Sequence, residues 1–204
     1  MIIPKPINYQ LNPPGYEASR GDIVRLFFEQ EQARDFYVRG SVCWPEGKQQ
    51  GFCIVAGQTL DDKQVWLFDQ FEFRTVEHWF NDDQSLRQRG LCYFLQNSWA
   101  KYGCRVFFIY SQNAELVRRF LVQIIKSQMV MPKPELIPTP YTDDDKISDN
   151  VIEEYLILQK LKGDKNTTLY SQLSSPNIDQ YPGPYALKAL LAGYEAFPYM
   201  QRGG

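Results

Sequence analysis

The chain has 204 residues, a formal charge of −2 and abundant aromatics, with thirteen Tyr, thirteen Phe and four Trp. That length fits one domain, or one domain with a small appendage, and that composition excludes general disorder. The charge gives no overall basic footprint for nucleic acid.

Cysteine usage narrows the chemistry. Cys43, Cys53, Cys92 and Cys104 are widely spaced and form no C-x-x-C pair, and His78 is the single histidine. A Cys/His zinc site therefore has almost no material, and free, buried thiols in a reducing compartment are expected. No metal is expected on this ground. "MIIPKPINYQLNPPGY" has neither a basic n-region nor a long apolar run, and no stretch is long enough to span a membrane. The expectation is a cytoplasmic protein with no membrane association.

Residues 1–15 are rich in proline and read as an extended arm. In "SRGDIVRLFFEQEQARDF", Ile23, Leu26 and Phe27 have helical spacing, which predicts a short helix. "FYVRGSVCW", "GFCIVAGQTL" and "VWLFDQFEFRTV" read as strands, joined by turn formers in "PEGKQQ" and "LDDKQ". An antiparallel meander follows.

The period then changes. Leu91, Phe94, Leu95, Ser98, Trp99 and Tyr102 form a 3.6-residue stripe that ends at Gly103, a helix-terminating residue. "CRVFFIYS" is a short continuous apolar run, hence a strand covered on both faces. "AELVRRFLVQIIKSQ" predicts a second helix with Leu116, Val117, Phe120, Leu121, Ile124 and Ile125 facing inward. The crossover between the two should place the later strand beside one of the earlier ones.

"MPKPELIPTPYTDDD" holds four prolines and an acidic run, and reads as a linker or surface strap over 132–146. Beyond a core domain of 1–131, residues 147–204 form a helical extension. "ISDNVIEEYLILQKLKG" is a helix with Ser148 or Asp149 as its cap, "TTLYSQLSSPNIDQYPG" is loop-like, and "PYALKALLAGYEAF" is a final helix from Pro184. The fold class is α/β: a mixed, largely antiparallel sheet flanked by helices, with a helical C-terminal extension. The extension interleaves proline with Tyr170, Tyr181, Tyr185, Leu190, Leu191, Tyr194, Phe197 and Tyr199. These residues either cover the sheet in cis or bury their face in a protein partner.

Ligands of mixed sheets bind where strands end and helices begin. "FNDDQSLRQRG" lies at such a place, where free N–H groups and the helix dipole favour an anion. The layout from about 17 to 128 resembles the GNAT acyltransferases, whose pyrophosphate loop reads Gln/Arg-x-x-Gly-x-Gly/Ala. Arg87-Gln88-Arg89-Gly90-Leu91-Cys92 matches except at Cys92, and Asn113 follows the next strand as that family's Asn motif does. The resemblance implies an acyl-CoA-dependent N-acyltransferase, or a degenerate CoA-binding relative. It places acetyl-CoA or another acyl-CoA on residues 87–92 with Asn113, and Glu72 or Asp69 as general base.

Three antiparallel strands, a helix, a strand and a helix also resemble the start of the RNase H-like fold, as in viral packaging nucleases. That chemistry holds two divalent metals on several carboxylates. It implies an Asp on the first strand and an acid at the end of the fourth. "YVRGSVCW" has no Asp, "FFIYSQN" has Tyr110 and Ser111, and Asp69 alone does not hold two metals. An active nuclease of this type is therefore not expected, and an inactive relative stays as one form of the alternative that the chain is a non-catalytic interaction or structural protein.

Overall fold

The computed structural model describes residues 5–6, 11–19, 22–28, 32–45, 50–73, 90–128, 133–140, 149–164 and 166–196. Nine strands make one mixed sheet, flanked by helices on both faces. The strands are β1 (Lys5–Pro6), β2 (Leu11–Ala18), β3 (Ile23–Phe28), β4 (Arg34–Cys43), β5 (Gly51–Thr59), β6 (Val65–Phe73), β7 (Val106–Ser111), β8 (Glu135–Pro140) and β9 (Leu161–Gly163). The helices are α1 (Leu91–Tyr102), α2 (Ala114–Gln128), α3 (Asp149–Ile157), α4 (Thr168–Leu173) and α5 (Pro182–Ala196).

The β2 to β6 meander is antiparallel throughout. After α1, the chain returns as β7, parallel to β4, and β8 then adds parallel to β7. Both β3 and β7 pair with β4. β3 meets Arg34–Tyr37 and β7 meets Gly40–Cys43, so the sheet forks at Val38 and Arg39.

Each face has its own core. Val38 and Val42 of β4 join Phe107 and Ile109 of β7 under α1 and α2. Five of the six residues of the predicted α1 stripe are buried, Leu91, Phe94, Leu95, Ser98 and Tyr102, while Trp99 is half-buried. Gly103 ends the helix at φ 65°, and its N–H donates to Trp99 O at 2.9 Å. That left-handed backbone costs an L-residue about 1–2 kcal/mol, which glycine avoids. The other face carries Ile54, Val65 and Phe108 beneath α5, whose Leu187, Leu190 and Leu191 are fully buried. Gly193 lets α5 approach β7: a Cβ there would lie 2.2 Å from the Phe108 ring.

Five local expectations change. Residues 23–28 form a strand, in which Val24, Leu26 and Phe28 are buried at period two. Leu116 is 68 % exposed instead of facing the core. The proline-rich strap contains β8, a strand of the same sheet. Residues 168–173 form a short helix capped by Thr167, whose hydroxyl accepts from Tyr170 N at 3.3 Å. The final helix starts at Pro182, two residues before the predicted position. No helix among the described residues is long and apolar enough to cross a membrane.

Candidate functional site

Of the residues expected to hold a nucleotide, the structure describes Gly90, Leu91, Cys92 and Asn113. Arg87, Gln88, Arg89 and His78 lie outside the described residues. Gly90 is the N-cap of α1 in extended conformation, and its carbonyl accepts from Phe94 N at 3.1 Å. Leu91 is buried in the core, and Cys92 is half-buried, its thiol pushed up to about 11 by desolvation. Asn113 opens α2: its N–H donates to Ser111 Oγ at 3.1 Å and its carbonyl accepts from Val117 N at 3.0 Å.

The two candidate bases sit on β6. Glu72 is exposed. Asp69 is half-buried, accepting from Gln70 N at 2.9 Å and from the Tyr102 hydroxyl at 3.3 Å. Burial raises its carboxyl above the usual range, against the pull of those hydrogen bonds and of Lys101. The same pairing, after desolvation, raises Tyr102.

An acyltransferase of the expected kind needs the strand after α1 to lie beside the strand before it. Here that later strand, β7, pairs with β4, and both β5 and β4 stand between it and β6. The sheet from β6 to β8 is closed by continuous pairing. Among the described strands from β6 to β8, every neighbouring pair is hydrogen-bonded, so the splayed pair that a CoA site requires is not formed there.

No family model matches the chain, and no curated protein is similar enough to match. Among solved structures, the chain is similar to the large terminase nuclease domain of bacteriophage SPP1 with bound Mn. The identity is 11% and the TM-score 0.45, over 78% of this chain and 85% of that one. The fowlpox virus Holliday junction resolvase gives 9% and 0.45, over 78% and 98%. The human cytomegalovirus terminase nuclease domain gives 12% and 0.38, over 83% and 76%. The neighbours are nuclease domains, not acyltransferases, so the acyltransferase reading is corrected, together with its acyl-CoA. The expectation of no metal, made from Cys and His content, also fails as an argument, because nuclease metals are held by carboxylates.

The observed order does match the second resemblance: three antiparallel strands, a helix, a strand parallel to the first, and another helix. Its metal positions would lie where β4 meets β7. At that place Gly40 faces the Phe107 ring so closely that an added Cβ would sit 2.2 Å from it. Ser41 is fully buried, and its hydroxyl donates to Ala186 O of α5 at 2.6 Å. Tyr110 stacks on Tyr185 of α5 with ring centroids 5.4 Å apart. Ser111 accepts from Asn113. The residues present do not fit a two-metal centre, since these side chains are committed to packing and to α5. Among the described residues no three of His, Cys, Asp and Glu come together.

A different surface collects unspent chemistry. The β5–β6 hairpin turns at Lys63, with φ 52°, and Thr59 holds the turn by donating to Asp62 Oδ1 at 2.5 Å. The turn after α3 holds Gln159, also at φ 52°, with Lys160 N donating to Tyr155 O at 2.8 Å. These two turns and the end of α5 enclose a cleft of about 340 Å³. Leu60 and Leu158 line it at 41 % and 51 % exposure, and the neighbouring Ile157 is 56 % exposed. Glu154 and Glu195 stand near the Tyr155 hydroxyl, which accepts from Gln58 Nε2 at 3.4 Å. Burial first, then these two acids, raise Tyr155. Lys63 and Lys160 supply positive charge.

Sequence reading passes over this cleft because it is assembled from three distant segments. One signal was available. Ile152, Tyr155 and Leu156 make the buried stripe of α3, and Ile157 and Leu158 fall off it.

Proposed function

We propose that this protein is a non-catalytic interaction module built on an RNase H-like sheet. One observation carries the reading: the β4–β7 junction, where such a sheet would do metal chemistry, is filled by packing. Gly40 is pressed on Phe107, Ser41 is tied to Ala186, and Tyr110 is stacked on Tyr185. An acid at Ser41 would bury a charge against a backbone carbonyl, which is strongly unfavourable.

The partner contact is the cleft between the β5–β6 turn and the end of α3. Apolar side chains left half in water at a cleft mark a binding surface. The occupant is a partner protein's segment that inserts one apolar anchor against Leu60 and Leu158. Its flanking charges would meet Glu154 and Glu195 on one side and Lys63 and Lys160 on the other. Three of the C-terminal aromatics and leucines, Leu190, Leu191 and Tyr194, are buried on the sheet, and Phe197 and Tyr199 lie outside the described residues. The buried three anchor α5 on the sheet, and Tyr194 reaches the wall of the cleft. Tyr194, for example, donates its hydroxyl to the carbonyls of Tyr37 and Ala56.

Peptide display against the folded protein tests this, with Leu158→Glu for counter-selection. Selected peptides are expected to share an apolar anchor and to lose binding to the variant at least tenfold. Peptides that bind both proteins equally would remove the cleft from the proposal.

A further inference from the structure

The fork in the sheet holds more positive charge than its partners balance. Arg39 projects there from β4, with its side chain only 5 % exposed. Among the described residues its guanidinium makes one hydrogen bond, Nη2 to Asp22 Oδ2, at a long 3.3 Å. A guanidinium offers five donors in a fixed plane, and buried donors are normally satisfied. Arg105, just before β7, lines the same small cavity. Its Nε is buried and has no hydrogen-bond partner among the described residues. Its guanidinium lies 5.4 Å from the centre of the Trp99 ring.

Among the described residues, two guanidinium groups and one carboxylate, Asp22, line this cavity, an excess of one positive charge. The cavity they line is closed by Ile23, Val24, Val38 and Gly103 and measures about 10 Å³, room for a single sphere about the size of a water. A water would accept a hydrogen bond but would leave the charge excess beside Arg39, whose side chain is 5 % exposed, and excess charge next to a buried cation is costly. A polyatomic anion such as phosphate is too large. A monatomic anion satisfies the donors and the charge together.

We propose that the fork binds one halide ion, chloride in ordinary media, between Arg39 and Arg105. The ion ties the start of β3, the middle of β4 and the entry to β7 at the point where the sheet branches. The site is separate from the cleft and does not depend on it.

Crystals of the full chain grown or soaked in bromide test the proposal by anomalous scattering. One bromide peak is expected in the fork, within contact distance of Arg105 Nε and the Arg39 guanidinium. The melting temperature should also be higher in sodium chloride than in sodium gluconate at equal concentration, and this difference should disappear in Arg105→Gln. No bromide peak in the fork, with only water density there, would overturn the proposal. So would a chloride-dependent shift that survives unchanged in Arg105→Gln. The bromide peak is read on the wild-type protein and stays decisive if the variant fails to fold.

Discussion

At the residue scale, Asp69 and Ser41 show opposite uses of a buried polar group. Asp69 is held above its usual pKa, chiefly by desolvation. Its folded pKa exceeds its unfolded pKa, so the folded state binds the proton more tightly. The stabilising contribution is therefore present at acidic pH and is lost as pH rises through the folded pKa. Asp69→Asn should be more stable than wild type at neutral pH, and the advantage should vanish below the unfolded pKa of about 3.9. Denaturant melts of both proteins across pH check this; an advantage that persisted at low pH would contradict it. Ser41 is the reverse case, a satisfied donor. Ser41→Ala leaves the Ala186 carbonyl without this donor and should cost roughly 1–3 kcal/mol in a chemical melt. The thiols are a third case. Cys53 and Cys104 are fully buried with raised pKa, and Cys92 sits near 11. Little thiolate exists at neutral pH. A disulfide-exchange reagent should label these thiols slowly until the protein unfolds; rapid labelling of Cys92 would contradict the packing described for α1.

At the scale of elements, legibility followed how local the signal was. α1 and its glycine stop could be read directly, because stripe and cap lie within thirteen residues and both face one core. β3 could not. Six apolar-rich residues are too few to separate the two periods, since Ile23, Leu26 and Phe27 fit helical spacing while Val24, Leu26 and Phe28 fit period two. The strap was misleading because proline normally marks a break. β8 tolerates Pro138 and Pro140 because it pairs only with β7 among the described strands, so one side needs no ladder donors. Leu116 is simply an apolar residue on the wet side of α2, which periodicity alone had drawn inward. α5 is the element on which the second core depends. Leu190→Ala, at a fully buried position on the sheet, should cost about 2–5 kcal/mol in a chemical melt. A loss under 1 kcal/mol, roughly the size of a surface change, would mean that α5 is not docked as described.

At the scale of the molecule, the difference between the two early resemblances is a matter of strand order, and strand order is not local. Both share three antiparallel strands, a helix, a strand and a helix. Only the pairing of β7 with β4 separates them, and that pairing brings together residues more than sixty positions apart. Arg87 to Cys92 could look like a phosphate loop because a helix start with glycine and arginine has the right local chemistry; the second strand needed beside it lies elsewhere. The cleft was hidden for the same reason, since Leu60, Tyr155 and Glu195 meet only in the folded chain. What the sequence did show about the site is negative and chemical: strand β4 and the end of β7 carry glycine, serine and tyrosine where a metal nuclease would carry acids. The structure adds that those residues are engaged.

The most direct measurement is nucleic-acid cleavage by the full chain. Single-stranded and duplex DNA and RNA, and a four-way junction, are incubated with the protein in magnesium and in manganese. The account predicts no cleavage above that of a Ser41→Ala control under any of these conditions. Chelator-sensitive cleavage that rises with wild-type protein and is lost in Asp69→Asn would contradict it and place a working metal centre on this sheet.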